Sequence, residues 1–268
     1  MTVNAYAKVN LTLDVTGKRA DGYHELETIM HSISLCDVVT VEKAHDITLS
    51  CDNENVPLDG RNICIKCARA FFEKTGTAGG CHIHIEKHIP MEAGLGGGST
   101  DGAAVLSALD ALYGTNLGKK GLADIGAHIG ADIPFCIYGG CAVCRGIGEI
   151  IEPMPAFDEH ILVAKGAAGI STARAYALID ALPPRSRGTE GRLFHGIALY
   201  NVFERVVNVP DVGFLREFML RSGADHAMMT GSGSAVFGIY DDTALLSAAA
   251  KALREKGYFV SECRLRSD

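Results

Sequence analysis

The chain has 268 residues, of which 47% are hydrophobic and 21% charged, and this composition predicts a globular protein with one large domain or two modest ones. The net charge of −7 disfavours nucleic acid as a partner, so a polyphosphate site would have to be built locally from backbone amides and a few lysines. There is no apolar run of membrane-spanning length and no signal-like N-terminus, and the nine cysteines are odd in number. We therefore expect a cytoplasmic protein with reduced thiols and no membrane partner.

The first residues alternate between apolar and polar side chains, which predicts a strand over residues 3–15 with one buried face. Lys8 and Asn10 project from its polar side, and alternation alone favours a solvent-exposed face for them over the wall of a cleft. A loop is predicted at 17–22. Further strands are predicted at 28–35, 38–42, 47–50 and 82–86, and a helix at 62–72.

Two Cys-x-x-Cys pairs, Cys64 with Cys67 and Cys141 with Cys144, raise the question of a zinc site. The gap between the pairs is far longer than in a zinc ribbon, and one pair lies in a helical pattern while the other lies in a strand-like one. The favoured interpretation is buried free cysteines.

A glycine-rich segment precedes an apolar helical pattern that runs to Leu112 and ends at Gly114. Because each glycine costs backbone entropy, four glycines within five positions are hard to explain in a plain connector. A loop that leads into a helix N-terminus offers free N–H groups and the positive end of the helix dipole to a phosphate. The predicted phosphate-binding residues are Pro90, Met91, Glu92, Ala93, Gly94, Leu95, Gly96, Gly97, Gly98, Ser99 and Thr100.

This glycine loop departs from three familiar templates. It lacks the Gly-Lys-Ser/Thr ending of a P-loop, and Ser99 stands where the dinucleotide fingerprint needs a third glycine. It also lacks the final glycine of a nucleophile elbow, which disfavours a serine hydrolase that uses Ser99.

The second half mixes strands and helices without a strict βαβ rhythm, which predicts an α+β fold. Strands are predicted at 161–165, 235–240 and 258–265, helices at 172–182, 212–221 and 244–256, and a polar loop at 183–191. The proline-containing stretch 152–155 is the best candidate for a boundary, so we expect an N-terminal domain at 1–152 and a C-terminal domain at 153–268.

Two further features have alternative interpretations. Asp132, two residues before Pro134, is either a helix N-cap or a general base, and the local sequence favours the cap. The Gly231-Ser232-Gly233-Ser234 segment is either a tight turn or a second glycine loop that meets the first across a cleft.

Taken together, five segments resemble the GHMP kinase superfamily over nearly the whole chain. They are Ala7-Lys8-Val9-Asn10-Leu11, the segment 17–25 with its Arg-Ala-Asp-Gly-Tyr-His run, the segment 90–100, Gly130-Ala131-Asp132-Ile133-Pro134 and Met229-Thr230-Gly231-Ser232-Gly233. The run that ends in Tyr-His is similar to one group of this superfamily. Its members phosphorylate the 2-hydroxyl of a cytidine diphosphate-linked methylerythritol in the non-mevalonate isoprenoid pathway.

The resemblance implies a two-domain α+β fold with the active site in the interdomain cleft, and a small-molecule substrate, ATP and Mg²⁺ as ligands. It implies that Asp132 is the general base and Lys8 its cationic partner, and a nearby lysine would stabilise the charged carboxylate. Asn10, Tyr23 and His24 would hold the cytidine, with Tyr176 on the opposite face of the base. On the ATP side, Asn62 and Lys87 are candidates, and Ser99 or Thr100 would reach the metal. Gly231 and Ser232 would contact the substrate.

Three segments depart from the pattern of these kinases. Glu92-Ala93 replaces a pair of small residues, which predicts weaker ATP affinity unless the carboxylate points away from the phosphates. Residues 201–204 only loosely match an Asn-Asp-Leu-Glu segment, and residues 165–169 stand where a proline turn is expected. The alternatives are another GHMP kinase, acting on homoserine or mevalonate, or a non-catalytic nucleotide-binding regulator. We expect a monomer or a weak homodimer.

Overall fold

A computed structural model describes residues 1–182 and 193–267, so the loop predicted at 183–191 lies outside the described residues. The strands are β1 (Thr2–Lys18), β2 (His24–Ala44), β3 (Thr48–Cys51), β4 (Gly80–Glu86), β5 (Cys141–Gly146), β6 (Ile150–Met154), β7 (His160–Lys165), β8 (Leu193–Phe194), β9 (Ile197–Ala198), β10 (Tyr200–Asn201), β11 (His226–Met229), β12 (Val236–Tyr240) and β13 (Phe259–Arg264). The helices are α1 (Ile63–Thr75), α2 (Gly97–Tyr113), α3 (Gly118–Ala127), α4 (Ile133–Tyr138), α5 (Thr172–Asp180), α6 (Pro210–Arg221) and α7 (Thr243–Glu255), and a 3₁₀ turn spans Val202–Arg205.

Strands β1 and β2 form a long antiparallel pair at the centre of a seven-stranded sheet ordered β10-β1-β2-β4-β3, with β5 paired to β2 and β6 to β5. The strands predicted at 28–35 and 38–42 are one strand, β2. Its register shifts between the pairs Tyr6–Cys36 and Lys8–Ser32, and this irregularity breaks the alternation that the sequence shows. Within the shifted part, Ile33 forms a bridge to Leu265 near the end of the chain.

Helices α1 and α2 pack their apolar sides on this sheet in a common core with α3 and α4. The Asn62 side chain caps α1 by accepting a hydrogen bond from Cys64 N–H (2.8 Å), and Gly114 ends α2 in the left-handed conformation as predicted. All nine cysteines are free, and both members of each Cys-x-x-Cys pair are buried, as the favoured interpretation predicted.

The second sheet is antiparallel, with strand order β11-β12-β7-β13, and α5, α6 and α7 contribute to the core on one of its faces. Four consecutive residues of β7, Ile161 to Ala164, are fully buried because this central strand is covered on both faces. The other face packs against β1, where Ala7, Val9 and Leu11 share a core with β7 and β12.

The two halves of the chain are therefore joined by a common core, and β10 also pairs in parallel with β1. The α+β prediction is confirmed. Residues 152–154 lie in β6, which pairs with β5, so the boundary at 152–155 falls at the end of a strand, and the division into two domains stays a prediction.

No helix in the described parts of the chain is long and apolar enough to cross a membrane.

Candidate active site

A cavity of about 860 Å³ lies between the two halves, within the size range of small-molecule sites. Residues from both halves line it. The predicted site residues along its wall are Lys8, Asn10, Tyr23, His24, Asn62, Lys87, Pro90 to Ser99, Asp132, Tyr176, Gly231 and Ser232. The structure thus brings almost all predicted residues to one cavity.

The expectation of a solvent-exposed polar face on β1 was wrong, since Lys8 is only 4% and Asn10 only 1% exposed. Two loops that are distant in sequence cover this face. The backbone N–H of Lys8 donates to Leu95 O in the glycine loop (3.0 Å), and the N–H of Asn10 donates to Thr230 Oγ1 (3.0 Å).

Lys8 and Asp132 meet inside the cavity, with 3.4 Å between Nζ and Oδ2. The Lys8 ammonium also donates to Asn10 Oδ1 (2.7 Å), and Asn10 donates to Thr28 Oγ1 (2.8 Å). Because Lys8 is fixed from both directions, its charge has a defined position beside the carboxylate.

Asp132 does precede α4, but its side chain does not cap the helix. Its backbone carbonyl takes part in the helical hydrogen bonding, since it accepts from Cys136 N–H at 3.0 Å. The capping role that the local sequence favoured is therefore wrong for the carboxylate, which is engaged by Lys8 instead.

The glycine loop delivers the N-terminus of α2 to the cavity. Gly96, the N-cap residue, has φ 72°, a conformation that favours glycine, and a Cβ there would lie 3.1 Å from the Lys8 side chain. Thr100 N–H donates to Gly96 O, so the amides before it have no partner within the helix. These amides and the helix dipole suit a phosphate.

The two candidate hydroxyls of this loop are placed differently. Thr100 is buried, its Oγ1 donates to Tyr6 O (2.7 Å), and it is not among the described residues that line the cavity. Ser99 is half-buried and lines the cavity. Of the two residues, Ser99 is the one that borders the cavity.

Lys87 lines the cavity, and its ammonium contacts Asp37 and, at 2.8 Å, Asp101 Oδ2. All three side chains are at most 6% exposed, so the lysine charge is balanced inside the protein. Burial raises the pKa of Asp101 to about 7, against the opposing effect of Lys87. Asn62 is also used locally, because its Nδ2 donates to Pro57 O while its Oδ1 caps α1.

The second glycine loop contacts the first, so it is more than an ordinary turn. Gly231 has φ 55°, and a Cβ there would lie 2.7 Å from Gly94 O. A Cβ on Gly94 (φ 74°) would in turn overlap Thr230 O. Only glycine at both positions permits this crossing.

Asn201 and Glu204, which lie in the segment that only loosely matches the family pattern, hold the second loop. The Asn201 amide donates to Met229 O (2.8 Å) and Gly231 O (2.9 Å), and Glu204 Oε1 accepts from Met229 N–H (2.8 Å). In the sequence these two polar residues stand out because they flank the apolar pair at 202–203, but no local pattern indicates that they bind the second glycine loop.

Tyr23, His24 and Tyr176 lie on the cavity wall contributed by the β1–β2 hairpin and α5. Tyr23 is 60% exposed, whereas the His24 ring is stacked on Tyr176 with 4.6 Å between ring centroids. Thus His24 already occupies one face of Tyr176.

Glu92 has φ 51°, which is uncommon for a residue other than glycine. A Cβ on Gly169 would lie 2.6 Å from Glu92 Oε2, so the carboxylate is directed at the loop that follows β7. The predicted loss of ATP affinity depends on the direction of this carboxylate, and the carboxylate points towards Gly169 in that loop.

Two family models match the chain. The model for the GHMP kinases N terminal domain matches residues 62–140, and the model for GHMP kinases C terminal matches residues 187–258. With the glycine-loop cavity between two α+β halves, they define the chain as a small-molecule kinase of the GHMP type.

Comparison with individual relatives identifies a narrower group within this class of kinases. The chain is 39% identical to the 4-diphosphocytidyl-2-C-methyl-D-erythritol kinase of Caldicellulosiruptor bescii, over 95% of this chain and 94% of that protein. It is 42% identical to the enzyme of the same name from Clostridium tetani, over 90% and 91%. A crystal structure of 4-(cytidine 5'-diphospho)-2C-methyl-D-erythritol kinase superposes with a TM-score of 0.81 at 32% identity, over 99% of this chain and 100% of that one.

The chain therefore belongs to the GHMP kinase family and, within it, to the 4-diphosphocytidyl-2-C-methyl-D-erythritol kinases. It is an ATP-dependent kinase that acts on a small molecule, as the resemblance in the sequence implied.

Proposed function

We propose that this chain transfers the γ-phosphoryl group of ATP to the 2-hydroxyl of 4-diphosphocytidyl-2-C-methyl-D-erythritol. One observation carries the proposal: a single cavity has the α2 N-terminus on its wall, the Lys8–Asp132 pair within it, and Tyr23, His24 and Tyr176 at the hairpin. The names of the relatives support the same substrate.

Asp132 would act as the general base. Its carboxylate accepts the proton of the 2-hydroxyl while that oxygen bonds to the γ-phosphorus and the bond from phosphorus to the ADP oxygen breaks. Lys8, held by Asn10, stabilises the negative charge on Asp132 and on the attacking oxygen.

The free amides at the start of α2 would bind the phosphates of ATP. Among the described residues there is no cluster of three or more His, Cys, Asp or Glu that could hold a metal by itself. This suits Mg²⁺, which usually takes one or two protein oxygens together with phosphates and water. Ser99 would supply a protein oxygen, and the ion would neutralise phosphate charge.

The hairpin end of the cavity would bind the cytidine. Tyr23 is an exposed aromatic side chain available for stacking, and the His24 ring and backbone can form hydrogen bonds with a base. At the other end, Val56, Pro57 and Ile63 add an apolar wall beside Asn62, where we place the adenine.

The test is a coupled ADP-release assay with the cytidyl substrate, homoserine and mevalonate, each with ATP and Mg²⁺. We expect turnover only with the cytidyl substrate. Turnover with homoserine or mevalonate instead, or ATP binding without turnover of any acceptor, would contradict the proposal and favour another GHMP kinase or a nucleotide-binding regulator.

We also infer two domains, at 1–152 and 153–268, a monomer or weak homodimer, and a location in the cytoplasm. The two family models fall on opposite sides of the boundary, which supports the division. The net charge of −7 supports the absence of a nucleic-acid partner. Sedimentation at micromolar concentration tests the oligomeric state.

A further inference from the structure

The last residue of α5, Asp180, binds two residues of the β1–β2 hairpin at once. Its Oδ1 lies 2.7 Å from His24 Nε2, and its Oδ2 lies 2.5 Å from Lys18 Nζ. The His24 side chain is only 10% exposed, whereas those of Lys18 and Asp180 are 54% and 33% exposed. The partly exposed carboxylate of Asp180 thus holds the largely buried imidazole of His24 in place.

The positions of these residues follow from regular structure. Lys18 and His24 are directly opposite each other in the β1–β2 register. Tyr176 and Asp180 are four residues apart on α5 and share one helix face. Tyr176 covers the face of the His24 ring and Asp180 binds its edge, while Phe203 supports Tyr176 from behind with perpendicular rings 5.0 Å apart.

The chemistry of the carboxylate determines which ring nitrogen of His24 carries the proton. Hydrogen bonds from His24 and Lys18 hold the pKa of Asp180 below its usual range, so this group is ionised at neutral pH and can only accept. In a neutral imidazole, Nε2 must then be protonated and Nδ1 must be the acceptor. Nδ1 has no hydrogen-bond partner among the described residues, and His24 lines the cavity.

We propose that Asp180 is a positioning residue that holds His24 as the Nε2–H tautomer and thereby selects a pyrimidine with an amino group at position 4 over one with a carbonyl. The amino group of cytosine donates a hydrogen bond to an acceptor such as Nδ1, whereas the corresponding oxygen of uracil presents a second lone pair to it. This inference rests on the proposed function, because it needs the base to lie beside His24.

Asp180→Asn tests this role with little change of shape. The amide can donate to Nε2 as well as accept from it, so both tautomers of His24 become available. The Nδ1–H tautomer can donate to a carbonyl at position 4, so discrimination between the two bases should weaken. Lys18→Met is the matched control, since it removes the other partner of Asp180 and leaves the contact with His24.

The experiment measures kcat and KM with the cytidine and uridine forms of the diphosphate-linked substrate. Because a mismatched hydrogen bond costs about 1–3 kcal/mol, the wild type should prefer the cytidine form by roughly 5- to 150-fold in kcat/KM. We expect Asp180→Asn to reduce this preference at least about fivefold, with an unchanged KM for ATP, and Lys18→Met to retain it.

A long-range ¹H–¹⁵N spectrum of the histidine rings gives a readout that a merely structural role would not move. His24 should be the Nε2–H tautomer in the wild type and in Lys18→Met, and a mixture in Asp180→Asn. An unchanged preference in Asp180→Asn, or the Nδ1–H tautomer in the wild type, would overturn the role of Asp180 while leaving the kinase function intact. A wild type that phosphorylates homoserine or mevalonate but not the cytidyl substrate would instead refute the proposed function and this inference with it.

Discussion

The ammonium of Lys8 lies 3.4 Å from a carboxylate oxygen of Asp132, and the two side chains differ in their access to the cavity. The Lys8 side chain is 5% exposed, whereas that of Asp132 is 29% exposed. The cation is therefore enclosed and fixed, while the carboxylate is open to a substrate. This asymmetry suits a pair in which Asp132 exchanges a proton with the acceptor and Lys8 only supplies charge.

We expect Asp132→Asn to bind ATP normally but to lose turnover by roughly 10²-fold or more, because an amide cannot accept the proton of the hydroxyl. ADP release at saturating substrates measures turnover, and calorimetry measures the affinity for ATP. Asp124→Asn is the control, since Asp124 is exposed and pairs with Lys120 one turn earlier in α3. Near-normal turnover in Asp132→Asn would remove Asp132 from the mechanism.

The crossing of the two glycine loops gives a second prediction. Gly94→Ala would set a methyl group against Thr230 O in addition to imposing an alanine on a left-handed backbone. We expect a loss of about 2–5 kcal/mol in the free energy of unfolding and a raised KM for ATP, because the loop must move. Chemical denaturation and steady-state kinetics measure the two effects.

Gly114→Ala is the matched control for that variant. Gly114 has φ 64°, but apart from its chain neighbours no described residue comes within 4 Å of the added Cβ. Only the backbone strain of about 1–2 kcal/mol should therefore remain, with an unchanged KM for ATP. Equal effects of the two substitutions on stability and on KM would show that the crossing has no role.

Local patterns in the sequence were sufficient for most elements. Alternation predicted β1, and Gly114 marked the end of α2 where the structure has it. The merged strand β2 was missed because a register shift near Ile33 interrupts its period, and the shift serves a bridge to Leu265 at the far end of the chain. Pairing between distant segments leaves no local pattern.

The same limit applies to the site. The motifs indicated which residues converge on a cavity, but alternation could not reveal that the polar face of β1 is covered by the loops around Leu95 and Thr230. Asp180 was hidden for another reason. The four-residue spacing from Tyr176 was visible, but only the placement of α5 against the hairpin gives this carboxylate a histidine partner.

Tyr23 should matter for the cytidyl substrate and little for folding, because its side chain is largely exposed at the cavity. Stacking of a base on an aromatic ring is worth about 1–3 kcal/mol, so Tyr23→Ala should raise the KM for the cytidyl substrate roughly 5- to 150-fold. The KM for ATP should change by less than about twofold. Tyr23→Phe keeps the ring and should behave like the wild type, and equal effects on both substrates would contradict the assignment of the cytidine end.

His31 gives stability a dependence on pH. It is fully buried, its Nδ1 donates to Ser32 O (2.9 Å), and its Nε2 accepts from Phe157 N–H (2.9 Å). Burial holds the pKa of His31 below its usual value of 6.5. The unfolded chain therefore binds a proton at His31 more readily than the folded protein does. The contribution of neutral His31 to the free energy of unfolding should be fully present above pH 6.5 and should decrease as the pH falls below it.

Unfolding by urea at several pH values measures this effect as the difference between the wild type and His31→Gln, which cannot titrate at this position. The difference should shift in favour of the variant as the pH falls below 6.5. A difference that does not depend on pH would show that His31 titrates alike in both states.

Asp101 should give a dependence in the opposite direction. Its Oδ1 is buried without a hydrogen-bond partner among the described residues, and burial raises its pKa from 3.8 to about 7. The folded state then holds the proton more tightly than the unfolded chain, so the contribution of Asp101 is fully present below pH 3.8 and is lost as the pH rises towards about 7. Relative to Asp101→Asn, which stays neutral, the wild type should therefore lose stability between about pH 4 and pH 7 and change little above it. Urea unfolding of both proteins measures this difference, and a wild type that gains stability relative to the variant over this range would mean that Lys87 outweighs the burial of Asp101.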